Sequence, residues 1–72
     1  MVTDSQYLFQ LGRKIEELQR KKFKTQQEFS AACGVDERTF RRIIKQEQNP
    51  TILVLRKIAK GLDISLSELV DV

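Results

Sequence analysis

The sequence predicts an all-α domain of five short helices, on three observations. Apolar residues recur at three- and four-residue steps, a Thr, Ser or Asp stands before each such run, and no stretch alternates in the manner of a strand. With 72 residues, the chain has room for one domain, residues 1–72, since chains usually divide at roughly 100 to 200 residues per domain.

The first helix is expected over about 5–22, where Leu8, Leu11, Ile15 and Leu18 form an apolar stripe between charged residues. Thr3 and Gln6 form a capping box at its start, and Gly12 inside it marks a close helix contact. Thr25 to Glu28 is a second capping box, opening a helix over about 26–33 that Gly34 terminates, because glycine enters the left-handed region without steric cost. Asp36 caps a third helix over about 37–45, with Val35 and Phe40 as its hydrophobic staple.

Asn49-Pro50 breaks the chain again, since the residue before proline is pushed out of helical geometry. Thr51 then caps a fourth helix over about 52–61, whose core stripe reads Ile52, Leu55, Ile58, Ala59 and Leu62. Asp63 suits the turn that follows. Ser65 to Glu68 is a further capping box, with Ile64 and Leu69 as staple, for a last helix over about 66–71.

Composition removes most enzymatic chemistry. There is no His to act as general base or metal ligand, and a single Cys makes neither a disulfide nor a four-thiolate zinc site. No nucleophile–base pair or phosphate-cradling glycine loop is present, so no enzyme, metal, cofactor or small-molecule ligand is expected. Cys33 falls where the pattern wants a buried apolar residue and reads as an inert core thiol; Tyr7 and Phe9 have no assigned role. Apolar runs are far shorter than a bilayer span and the N-terminus has no basic-then-apolar leader, so a cytoplasmic protein is expected.

The formal charge of +3 is too small to name a partner, but its distribution is informative. Residues 13–45 hold ten basic and five acidic side chains, whereas the segments on either side are each slightly acidic. On a wheel of about 100° per residue, Arg38, Arg41, Arg42 and Lys45 share an arc of roughly 100°, opposite the apolar Phe40 and Ile43. A cationic helix of this kind fits the DNA major groove, where Arg donates to guanine and Glu accepts from cytosine. Glu37 and Arg38 stand at its N-terminus, the end that usually reaches base edges. The competing reading of the wheel is a solvated charged face.

The whole pattern resembles the phage Cro and lambda-repressor-like helix-turn-helix family. The resemblance is carried by Leu11-Gly12-x-x-Ile15, Thr25-Gln26-x-Glu28-Phe29 with Cys33-Gly34-Val35-Asp36, Phe40-x-x-Ile43, Asn49-Pro50-Thr51, Leu55-x-x-Ile58-Ala59-x-x-Leu62 and Ser65-Leu66-x-x-Leu69. It covers about residues 8–70. It implies a five-helix domain binding double-stranded DNA, usually as a homodimer on a near-palindromic operator, to regulate transcription as a repressor or autoregulatory controller. By position, Glu37, Arg38 and Arg42 match base-reading places, with Arg41 beside them as a further expected reader, and Gln26, Lys45, Gln46, Gln48 and Asn49 match places that meet phosphate, with Thr25 expected to join them.

Family members often carry a buried Arg–Glu pair between the first and third helices, and a Gly two residues after that Glu; here those places hold Gln19, Ile44 and Gln46. Losing both charges together is physically coherent, because stranding one alone costs roughly 3 to 5 kcal/mol. Leu53, Val54, Leu66 and Val70 are surplus to the core stripes and are the expected dimer interface. With almost no chain outside the helices, control is expected through concentration and dimerisation. The rival is a helical protein-interaction module of the same fold that has lost DNA binding.

Overall fold

The computed structural model describes residues 3–72, so the first two positions of the expected domain lie outside the described residues. Each helix begins where a side-chain oxygen satisfies a free N–H of its first turn. α1 (Asp4–Lys22) starts on a complete capping box between Thr3 and Gln6. α2 (Gln26–Cys33), α3 (Glu37–Ile44), α4 (Ile52–Leu62) and α5 (Leu66–Val70) start on Thr25, Asp36, Thr51 and Ser65, whose side chains accept from Glu28, Arg38, Val54 and Glu68 N–H. Ser65 Oγ also donates to the Glu68 carboxylate at 3.3 Å, so that box closes through the side chains. All five expected helices are present, with ends shifted by one residue in α1, α3, α4 and α5.

α1 packs on α3, α4 and α5, while α2 packs on α3 and α4. Their shared core is Leu11, Ile15, Phe29, Phe40, Ile58 and Leu69, each at most 2% exposed. Phe29 joins Phe23 and Phe40 in a tilted aromatic row with ring centroids 5.3 and 4.5 Å apart. Burying aromatic rings at such separations adds about 0.5 to 1.5 kcal/mol per pair beyond the area removed from water. The row ties the α1–α2 connection and both helices of the turn into one unit.

Two glycines set helix spacing. A Cβ at Gly12 would lie 3.3 Å from Ile44 Cα, so α1 and α3 approach backbone to backbone, as the sequence suggested. At Gly61 a Cβ would lie 2.1 Å from Cys33 Sγ, which seats α4 against the end of α2.

One core expectation is corrected. Ile52 is 60% exposed, although the stripe read from the sequence included it. The buried arc of α4 is centred on Leu55, Ile58 and Leu62, which puts Ile52 roughly 90° from its middle, on the first helical residue. Val54, on the other flank, is half-buried against the core.

Candidate nucleic-acid interface

Gly34 ends α2 in the left-handed conformation at φ 70°, its N–H donating to Ser30 O at 2.8 Å. Only Val35 and the cap Asp36 then separate it from α3. Val35 is buried beneath the turn, so the angle between α2 and α3 is set by packing rather than by the loop alone. Phe40 and Ile43 anchor α3 in the core and leave its opposite side in solvent.

On that side Arg38, Arg41, Arg42 and Lys45 are exposed and line one shallow hollow of about 290 Å³, as the wheel requires. Glu47 also lines it, a position the sequence reading passed over. The chain reaches that point because Gln46 turns in the left-handed region at φ 63°, a bend that a glutamine does not advertise. Among the described residues the one ion pair is Arg20 with Glu16 at 3.6 Å, so Arg38, Arg41, Arg42 and Lys45 are not committed to carboxylates.

Glu37 is half-buried at the first position of α3, beside Arg38. Thr25 Oγ1 accepts from Glu28 N–H at 3.1 Å, which leaves its hydroxyl proton free to donate outward. Gln26 is half-buried at the first position of α2, where uncapped N–H groups attract an anion. Gln48 is half-buried and Asn49 exposed in the connection to α4. Gln46 is exposed, but its Nε2 donates to Ser5 O at 3.1 Å, bracing the start of α1 against the end of α3.

Of the expected dimer residues, Leu53 is 63% exposed, whereas Val54, Leu66 and Val70 are half-buried against the core. Val70 O accepts from Tyr7 Oη, and Lys14 Nζ donates to Glu68 O and Asp71 O, so α5 is bound to α1 at its C-terminal end. Tyr7 thereby gains a structural role that the sequence did not assign. Cys33 is buried, with desolvation pushing its thiol up to about 11. Among the described residues no group of His, Cys, Asp or Glu is arranged to hold a metal ion, and no helix is long and apolar enough to cross a membrane.

The helix-turn-helix family model matches residues 17–69. No curated protein and no solved structure shows a match to the chain. The chain belongs to the helix-turn-helix family of the Cro and lambda-repressor-like type, and its function in coarse terms is that of a DNA-binding transcription regulator.

Proposed function

We propose that, within that family, this chain recognises a specific double-stranded sequence as a homodimer on a near-palindromic operator, acting as a repressor or autoregulatory controller. The observation that carries the reading is the set of four exposed cations on α3 and its C-cap, gathered in one hollow and, among the described residues, in no ion pair. Arg38, Arg41 and Arg42 donate to base edges and Glu37 accepts from a base amino group. Thr25, Gln26, Lys45, Gln48 and Asn49 hold flanking phosphates, which fix register without carrying sequence information. Gln46 acts differently from the role its position implies: with Nε2 bound to Ser5 O, it steadies the recognition helix against α1.

The rival interaction-module reading is motivated by Gln19, Ile44 and Gln46 and by a recognition face that mixes Glu37 with three arginines. Gln19 is only 6% exposed, so its lack of charge removes an interior pairing and not a surface one. The arginine face of α3 is unaffected.

Selection of binding sites from random duplex DNA tests the proposal. The expected result is a pair of inverted half-sites about one helical turn apart, with affinity falling linearly against salt on logarithmic axes. Failure to bind any duplex at low salt would overturn the DNA reading, while a single unpaired half-site would overturn the homodimer.

A further inference from the structure

Among the described residues, four large apolar side chains stand in solvent: Phe9, Ile52, Leu53 and Val72. Phe9 and Val72 line one surface hollow and Leu53 another, and the charged residues of the Leu53 hollow are all basic whereas those of the Phe9 hollow are of both signs. On α4, Leu53 lines a hollow of about 360 Å³ with Arg56, Lys57 and Lys60, and α4 contains no acidic residue. On α1, Phe9, Arg13 and Glu17 follow at four-residue steps and share one stripe. With Lys14, Asp71 and Val72 they line a hollow of about 450 Å³.

We infer that a second copy of this chain docks on the Phe9 face and not on the Leu53 face. In a two-fold interface the same patch meets itself, so the signs of its charges decide whether pairing is favoured. The α4 face would set three cations against three cations, and juxtaposed like charges oppose association. The α1 face offers Arg13 and Lys14 together with Glu17 and Asp71, so a two-fold rotation can bring basic against acidic around a central Phe9. Its C-terminal rim is held in place by the Lys14 bonds to Glu68 O and Asp71 O.

This face adjoins the DNA-reading unit. Ser5, Gln6, Phe9, Gln10 and Gln46 line the neighbouring hollow, and Gln46 directly follows Lys45, the C-cap of α3. A two-fold axis beside Phe9 holds the C-terminal ends of two recognition helices at a fixed separation, so dimerisation sets operator spacing.

The inference rests on the homodimer reading above, and sedimentation equilibrium of the whole chain separates the two. Phe9→Gln is expected to weaken the dimer by about tenfold or more, as loss of a central aromatic anchor does, while Leu53→Gln leaves it unchanged. Glu17→Lys, which makes the rim wholly basic on α1, is expected to weaken it in low salt and less so in high salt. Thermal melting of each variant establishes that it is folded. Weakening by Leu53→Gln equal to or greater than that by Phe9→Gln overturns the choice of face and leaves the dimer standing. A wild-type chain that stays monomeric at all concentrations overturns the dimer reading itself, and this inference with it.

Discussion

Gln46 holds φ at 63°, where a Cβ crowds the following carbonyl at a cost of roughly 1 to 2 kcal/mol. Its N–H donates to Ile43 O and that of Glu47 to Arg42 O, the two bonds that close a helix over a left-handed residue usually supplied by glycine. The sequence signals such a turn at Gly34 and Asp63 through residue type, but at Gln46 nothing local announces it. Gln46→Ala loses the bond to Ser5 and keeps the strain; Gln46→Gly loses the bond and sheds the strain. The glycine variant should therefore exceed the alanine variant by about 1 kcal/mol in urea denaturation, and equal stabilities would mean that the turn is unstrained. Cys33 supplies a pH test. Its thiol titrates near 11 in the fold against 9.0 when free, so between those values the unfolded chain binds fewer protons and stability falls as pH rises. Its contribution is complete below pH 9. Melting temperature should consequently drop more steeply from pH 9 to 11 in the wild type than in Cys33→Ala.

At the scale of helices, starts were legible and ends less so, for a physical reason. A start is written in a side chain that accepts an N–H, and Thr3, Thr25, Asp36, Thr51 and Ser65 all do so. An end depends on where carbonyls find partners, and Lys45 caps α3 through backbone bonds to Arg41 O and Ile43 O that no side chain specifies. Long-range fit is hidden for the same reason: Gly61 reads as one more helical position until α2 is placed beside it. With Cys33 Sγ 2.1 Å and Cys33 Cα 3.2 Å from the site of a Cβ, Gly61→Ala should cost about 1 to 3 kcal/mol through overpacking. Adding Cys33→Ala should return part of that loss, because the sulfur is the closest obstacle and the backbone remains. A double-mutant cycle by thermal or urea unfolding measures the coupling; a Gly61→Ala chain as stable as the wild type would show that α2 and α4 do not meet this closely.

For the whole molecule, the placement of charge matters more than its sum. The formal charge is +3, and removing any one lysine lowers it equally. Lys45 lies in the α3 hollow with three arginines, whereas Lys57 lies on the outer face of α4 beside Leu53. α3 packs chiefly on α1 and α2, so the α4 cations belong to a separate surface. If affinity for DNA came from net charge, Lys45→Ala and Lys57→Ala would weaken binding alike. Counterion release instead counts phosphates actually neutralised, at a slope of about 0.9 per contact. Lys45→Ala should lower the salt slope by about that amount per protomer and weaken all sequences equally, whereas Lys57→Ala should leave the slope unchanged. Arg38→Ala should do something neither lysine can, relaxing discrimination at one base position by about 1 to 3 kcal/mol. Titrating all three against a selected operator and a scrambled duplex separates the roles, and equal slopes for the two lysine variants would remove Lys45 from the interface.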